Sequence, residues 1–278
     1  MSVIVSLTST STRMELLKYT LLSLMDQDYP AFRIYLSLSK EPYLIDSGVK
    51  VLPPWLNDMV SIGKLEVYWV KNTGPYRKLL PIINQVEDDD LLVTCDDDVI
   101  YGRGWLSSLI ESATEYPKHV VCGRGRTVKK SIFSSRPQTY LHWPLAHGGA
   151  TGFDIVPTGV GGVVYNKNLL DMDFINKKEF MDLAPRQDDL WFNKARELLN
   201  TPVHISEKAG SFLFPINAPG ALFDNNAFSK KSSKRFRIIS ALQEKAQGLA
   251  GRLGLPICSN DVAYSNINRY VKKRGSQI

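Results

Sequence analysis

Three consecutive carboxylates, Asp96, Asp97 and Asp98, close a short apolar run, Leu91-Leu92-Val93-Thr94-Cys95. At the exit of a buried strand such side chains repel one another and lose hydration unless a cation or hydrogen-bond donors offset the cost. Asp96 and Asp98, spaced i and i+2, can aim hard oxygen ligands at one Mg2+ or Mn2+, which keeps waters and takes its remaining ligands from substrate phosphates. A helix cap or a surface turn accounts for the same residues, and both readings stay open at this level. A second triplet, Asp88-Asp89-Asp90, precedes the run and reads as a solvated connection into the strand. Asp188 and Asp189 open a helical stretch, a position where acids satisfy free N–H groups and the macrodipole.

The elements that must hold these residues alternate. Val3 to Leu7 is a β-rich run, and the Thr/Ser cluster from Thr8 to Thr12 can turn the chain and cap a helix. Leu16, Leu17, Thr20, Leu21, Leu24 and Met25 recur at helical spacing up to Tyr29-Pro30. Arg33 to Ser39 and Leu65 to Val70 read as strands, Lys78 to Val86 as a helix, Leu91 to Cys95 as a central parallel strand, Trp105 to Tyr116 as a helix and Val120 to Cys122 as a strand. This is the β/α alternation of a doubly wound sheet, in which ligands sit at the strand C-termini. From Arg124 to Asp154 the period is lost, which predicts loops or strands outside the first sheet. Gly159, Gly161 and Gly162 feed a strand at Val163 to Tyr165; a helix follows from Asp188 to about Leu199, then a strand at Val203 to Ile205.

Composition bounds the reading. With 278 residues, 44% hydrophobic and 22% charged, the chain can bury an ordinary core, and disorder of the whole is excluded. The opening Met1 to Leu7 has no basic lead-in and too short an apolar run for a signal peptide, and no later run approaches the ~18 residues of a membrane span, so the expected location is cytoplasmic. Three scattered cysteines argue against a disulfide framework and a zinc site. The net charge is +6, yet Ser229 to the end holds 11 Lys/Arg and 2 Asp/Glu, or +9, leaving −3 on residues 1–228. The excess positive charge therefore belongs to a basic, partly helical tail, residues 229–278, with an amphipathic stretch at Ile238 to Leu253. Such a tail points to the inner face of a membrane or a partner enzyme, and not to nucleic acid.

The order of motifs carries a resemblance. The opening strand, the helix ending in Asp26-Gln27-Asp28-Tyr29-Pro30, the Asp96-Asp97-Asp98 strand end, Gly159-Val160-Gly161-Gly162 and Gln187-Asp188-Asp189-Leu190-Trp191 look like the GT-A nucleotide-sugar glycosyltransferases. The chain resembles family-2-like bacterial enzymes of surface polysaccharide, such as O-antigen, over residues 1 to 225. The implied fold is α/β, a GT-A (Rossmann-like) mixed sheet with helices on both faces, plus the basic extension. Within a domain of residues 1–228, residues 1–125 would bind the nucleotide sugar and 126–228 the acceptor.

The resemblance also implies roles. Asp96 and Asp98 match the pair that holds Mn2+ or Mg2+ against the donor diphosphate, and a metal there stabilises the charge that develops on the leaving group. Asp97, facing the other way, suits a ribose or structural contact. Thr8, Ser9 and Arg13 match the region that holds base and ribose, and Lys78, after Gly74-Pro75-Tyr76-Arg77, could reach a phosphate or sugar. Asp189, before Leu190-Trp191, matches the base that takes the proton of the attacking sugar hydroxyl, with Asp188 orienting it. Gly161 and Gly162 permit close backbone approach to a sugar ring, and His142 and Trp143 offer an imidazole and an aromatic face for an acceptor. For His204, on a strand past the acidic pair, the resemblance offers a further metal ligand, and packing on the strand is the favoured reading.

The expectation is thus a metal-dependent inverting transferase that moves a sugar, galactosyl being the favoured candidate, from a UDP sugar to a glycan or lipid-linked glycan. Two alternatives are a nucleotidyltransferase-like enzyme and a non-catalytic sugar-binding or scaffold module.

Overall fold

The computed structural model describes residues 1–132, 134, 136–216, 248 and 250–275. The opening run forms β1 (Val3–Thr8), followed by α1 (Met14–Met25), β2 (Arg33–Leu38), α2 (Pro54–Ser61) and β3 (Leu65–Trp69). Next come α3 (Leu80–Ile83), β4 (Leu91–Thr94), β5 (Val99–Tyr101), α4 (Trp105–Glu115), β6 (Val120–Cys122) and β7 (Gly125–Thr127). The second half contributes β8 (Thr151–Gly152), β9 (Ile155–Pro157), β10 (Val163–Tyr165), α5 (Met172–Ile175), α6 (Phe180–Leu183) and α7 (Asp188–Leu198). It ends with β11 (Val203–Ile205), β12 (Leu213–Pro215) and α8 (Ser259–Gly275).

Eight strands make one mixed sheet in the order β3-β2-β1-β4-β10-β6-β11-β8. β1 pairs in parallel with both β2 and β4, while β10 runs antiparallel between β4 and β6. The chain therefore winds outward from β1 to β3 and crosses back to β4 on the other side of β1. Where the winding reverses, a crevice opens beyond the C-terminal ends of β1 and β4. The carboxylate triplet stands there because it follows β4 directly.

Alternation along β1 feeds two cores. Val3, Val5 and Leu7 pack with Leu17, Leu21 and Leu24 of α1 and with Trp105 and Leu109 of α4. Ile4 packs on the opposite face with Tyr76, Leu79 and Ile82 and shares its core with Trp191 and Phe192 of α7. Each such side chain contributes about 1.5–3 kcal/mol when withdrawn from water. Gln27 ties α1 to the strand–helix unit after β4, donating to the carbonyls of Tyr101 (2.9 Å) and Gly102 (3.0 Å) and accepting the Leu106 N–H at 2.9 Å.

Several expectations change in detail. The helix expected over Lys78 to Val86 is a 3-10 turn (Gly74–Lys78) followed by a four-residue α3, because Leu79 leaves helical geometry and Pro81 has no N–H to give. The aperiodic middle yields β7, paired with β9 outside the main sheet, and β8 on the main sheet's edge. Asp88, Asp89 and Asp90 clamp the chain start and Lys167: Asp89 takes the terminal ammonium at 2.6 Å, Asp90 the Ser2 N–H at 2.6 Å and Asp88 the Lys167 ammonium at 2.8 Å. Antiparallel pairing of β12 with β5 carries the chain to the crevice rim, where Ile216 N–H donates to the Asp98 carbonyl at 2.7 Å.

The stretch expected as a basic extension includes a helix that belongs to the body. Ala263 and Ile267 of α8 join the core, and Asp261 accepts from Thr139 Oγ1 (2.7 Å) and from the amides of Tyr140 (2.6 Å), Ile257 (2.9 Å) and Cys258 (3.1 Å). The amphipathic stretch expected at Ile238 to Leu253 lies outside the described residues except for 248 and 250–253. Among the described residues no helix is long and apolar enough to cross a membrane. Cys95, Cys122 and Cys258 are buried free thiols.

Candidate active site

The crevice forms a cleft of about 790 Å3, and Thr8, Ser9, Arg13, Lys78, Asp96, Asp97, Asp98, Asp188 and Asp189 all line it. Thr8 Oγ1 donates to the Ser37 carbonyl at 2.7 Å, and the Ser9 hydroxyl donates to the Asp97 carboxylate. Arg13, at the entrance to α1, spans two carboxylates, 2.9 Å from Asp97 and 2.7 Å from Asp98. Alternation along the extended chain turns Asp97 inward, so that it is buried, while the side chains of Asp96 and Asp98 keep 33% and 24% of their exposure on the cleft. Burial pushes the Asp97 carboxyl up to about 6 against the pull of Arg13 and Ser9. Asp97 is thus an anchor for the strand-to-helix turn.

Lys78 is the hub on the other side. The 3-10 turn that carries it is pinned by Tyr76, whose hydroxyl donates to the Ala184 carbonyl at 2.6 Å. Its Nζ lies 2.9 Å from Asp96, 2.9 Å from Asp188 and 3.6 Å from Asp189. Burial opposes the ammonium charge, but the carboxylates of Asp188, Asp96 and Asp189 outweigh it and hold the group well above the ordinary lysine range. Asp188 is buried, and burial raises its carboxyl although Lys78 pulls it down. Asp189 faces the cleft, and its Oδ2 accepts the Gly159 N–H at 3.0 Å. Burial pushes its carboxyl up to about 7, with Lys78 pulling the other way and the charge of Asp188 adding to the rise. The N-cap of α7, Gln187, makes no side-chain cap, so the acids at this helix start meet Lys78 and Gly159 instead of serving as a simple capping pair.

Asp96 and Asp98 each have one carboxylate oxygen outside these ion pairs. Among the described residues there is no group of three or more His, Cys, Asp or Glu able to hold a metal. A donor set of two carboxylates does not fit a closed zinc site. It does fit Mg2+ or Mn2+, which are held by one or two carboxylates and completed by substrate phosphates and water. His204 stays out of this set: its ring stacks on Tyr116 at 3.7 Å and meets Thr151 Oγ1 at 2.8 Å.

Four residues expected to meet an acceptor do not line the cleft. Trp143 is a core residue whose indole N–H donates to the Gln138 carbonyl at 2.9 Å, with Tyr140 and Tyr264 against its ring. His142, beside it, is half-buried outside the lining. Gly161 gives its carbonyl to the Trp105 indole at 2.9 Å, and Gly162 adopts φ +77° with the Trp105 ring where a Cβ would stand. Both glycines serve packing. The glycine that faces the carboxylates is Gly159, where an added Cβ would lie 2.6 Å from Asp96 Oδ1.

Sequence reasoning missed a second buried pair behind Ser9. Arg77 donates to the Ser9 carbonyl at 2.9 Å and to Asp46 at 3.1 Å, and Asp46 also accepts the amides of Ser11 and Gly48 at 3.0 Å each. Those bonds and Arg77 hold the Asp46 carboxyl below its ordinary range in spite of burial. Asp46 followed by Gly48, at φ +81°, is the turn signal that could have shown it.

A family model described as glycosyl transferase family 2 matches residues 7–171. None of the curated proteins matches. Among solved structures, S. aureus TarS is 17% identical with a TM-score of 0.51, over 91% of this chain and 43% of that one. TarS 1–349 in complex with UDP-GlcNAc is 17% identical with a TM-score of 0.50, over 91% and 72%. The mannosyltransferase PcManGT from Pyrobaculum calidifontis, in complex with GDP-Man and Mn2+, is 11% identical with a TM-score of 0.47, over 98% and 74%. The chain spans less than two thirds of two TarS crystal chains it matches, 60% and 43%.

Proposed function

The chain belongs to glycosyl transferase family 2, and from that premise we propose that it moves a sugar from a UDP-linked donor to an acceptor hydroxyl with inversion, in the assembly of a surface polysaccharide. The observation that carries this reading is Asp189: a carboxylate on the cleft, fixed by the Gly159 N–H and pushed up to about 7, within reach of the same lysine that holds Asp96. A base works best when its pKa lies near the operating pH, and an inverting transfer needs one base opposite the leaving diphosphate.

Asp189 takes the proton of the acceptor hydroxyl as its oxygen bonds to the anomeric carbon. The bond from that carbon to the diphosphate breaks on the opposite face, and its electron pair leaves with the nucleoside diphosphate. Asp188 and Lys78 keep Asp189 in place, while Arg13 and Lys78 set Asp98 and Asp96 facing the phosphates. Mn2+ or Mg2+ held by Asp96 and Asp98 would supply neutralisation of the charge that develops on the diphosphate. Thr8 and Ser9, with Arg77 and Asp46 behind them, form the wall for the nucleoside.

TarS, whose fold this chain shares, was crystallised with UDP-GlcNAc, which favours a UDP donor. Family membership favours transfer of a sugar over transfer of a nucleotidyl group and over a scaffold role. Residues 1–125 are assigned mainly to the donor and 126–228 mainly to the acceptor, and the basic stretch from 229 up to α8 to a membrane or partner contact. The test is a screen of UDP-galactose, UDP-GlcNAc and GDP-mannose for slow hydrolysis with and without Mn2+, which needs no acceptor. Metal-dependent release of UDP from one donor is the expected result; hydrolysis of none, with no binding of UDP, would remove the assignment.

A further inference from the structure

The wall of the cleft that includes β7 carries two arginines that have no counter-ion among the described residues. Arg124 and Arg126 are spaced i and i+2 on an extended segment, which puts both side chains on one face of the ribbon, and both line the cleft. Both are half-buried. Among the described residues neither guanidinium forms an ion pair with a carboxylate, in contrast to Arg13, Lys78 and Arg77 on the donor side. Arg126 is held in place: it donates to the Trp143 carbonyl at 2.6 Å and lies over the Tyr140 ring, 5.3 Å from its centroid. Tyr140 is held in turn by Asp261. Arg124 lies close enough to Asp189 to feel its charge, as does Tyr140.

Two like charges, partly desolvated on one wall of the cleft, cost stability unless an anion is brought to them. Burial, with the charge of Arg126 added, lowers the affinity of Arg124 for its own proton, while Tyr140, Asp189 and Asp96 pull the other way. Guanidinium forks match the geometry of phosphate and carboxylate oxygens. The donor diphosphate already has Asp96, Asp98, Arg13 and Lys78 around its place in the proposed reaction, so a further pair of cations on the wall past Asp189 answers to the other substrate.

We propose that Arg124 and Arg126 form an oxyanion subsite for the acceptor, so that the hydroxyl presented to Asp189 belongs to a sugar or polyol carrying a phosphate or a carboxylate nearby. The role as an acceptor subsite rests on the transferase reading; the binding of the anion does not.

The test is calorimetry on the full chain saturated with UDP and Mn2+, titrated with glycerol 3-phosphate, glucuronate and glycerol as probes. The wild type is expected to bind one of the two anions and not glycerol, and the preference between them identifies phosphate or carboxylate. Arg124→Gln/Arg126→Gln should weaken that binding by about tenfold or more while its UDP affinity and melting temperature stay near the wild-type values. Arg126→Lys, which keeps the charge without the fork, should fall between the two. Equal anion binding by wild type and double variant would overturn the subsite. A parallel loss of UDP affinity would also overturn it, by returning the arginines to the donor. The nucleotide-sugar screen on the wild type reads the transferase assignment separately, so a failure there is told apart from a failure here.

Discussion

Lys78 Nζ lies 2.9 Å from Asp188 Oδ2, an ion pair whose side chains retain only 6% and 9% of their exposure. Removing one member of a buried pair leaves the other uncompensated, at a cost of about 3–5 kcal/mol. Lys78→Met is therefore expected to lower the unfolding free energy by about that amount in urea titration. Adding Asp188→Asn to it should recover part of the loss. A single-variant loss no larger than that of an exposed pair, about 0–1 kcal/mol, would show that the three carboxylates do not depend on the lysine.

Asp189 acts as a base only when ionised, and its carboxyl is pushed up to about 7. Transfer under kcat/KM conditions should rise with pH along a limb centred near about 7 and level off above it. Asp189→Ala should stop transfer and leave UDP affinity intact. Normal turnover by this variant would give the base to another group.

Asp98→Ala tests the metal. It removes one of two carboxylates available for Mn2+ and leaves Arg13 paired with Asp97 alone, so UDP binding in Mn2+ should weaken by about tenfold or more and lose its metal dependence. Calorimetry with and without Mn2+ reads both effects, and unchanged metal-dependent binding would exclude Asp98 as a ligand.

Two glycine substitutions in one turn should separate function from fold. Gly159→Ala places a Cβ against Lys78 Nζ and 2.6 Å from Asp96 Oδ1, the free ends of two side chains, so donor hydrolysis should fall while the melting temperature falls less than in Gly162→Ala. Gly162→Ala forces φ +77° on an alanine and drives its Cβ into Trp105, so it should cost about 1–3 kcal/mol or more of stability. The reverse pattern would mean that Gly159 is a packing residue like its neighbours.

The acidic site also sets a pH trend in stability. Burial raises the carboxyls of Asp97 and Asp189 to about 6 and about 7, so the folded state holds these protons more tightly than the unfolded chain, where carboxyls titrate near about 4. Stability from this source is present at low pH and is lost as pH rises through that window. The melting temperature should fall between about pH 4 and about pH 7, and Asp97→Asn should flatten the fall. A flat profile in the wild type would contradict the raised values.

The sheet was legible because β1, β2, β3 and β4 are short apolar runs separated by helical spacing, and the carboxylate triplet follows the most apolar of them. Asp96, Asp98, Lys78 and Asp189 converge as their motif positions implied, since the reversal of winding fixes where strand ends meet. The other wall was not legible. Trp143, His142, Gly161 and Gly162 have residue types suited to sugar binding, but the packing of Trp105, Tyr140 and Tyr264 decides which way they face, and no local pattern encodes that. Helix α2 carried a readable start, proline at its first position, that hydrophobic spacing alone passes over. Arg124 and Arg126 look like ordinary surface charge in the sequence, and only the antiparallel pairing of β7 with β9 brings them to the cleft.

Asp261 fastens Thr139 and Tyr140 to the start of α8, 121 positions away in the case of Tyr140. The portion of the chain that matches the family stops at residue 171, well before that fastening. Exchange of specificity with a homologue would accordingly require two inserts, the loop around Tyr140 and the terminal helix, grafted as one unit. A hybrid made with either piece alone would keep its nucleotide pocket and present a misshapen opposite bank.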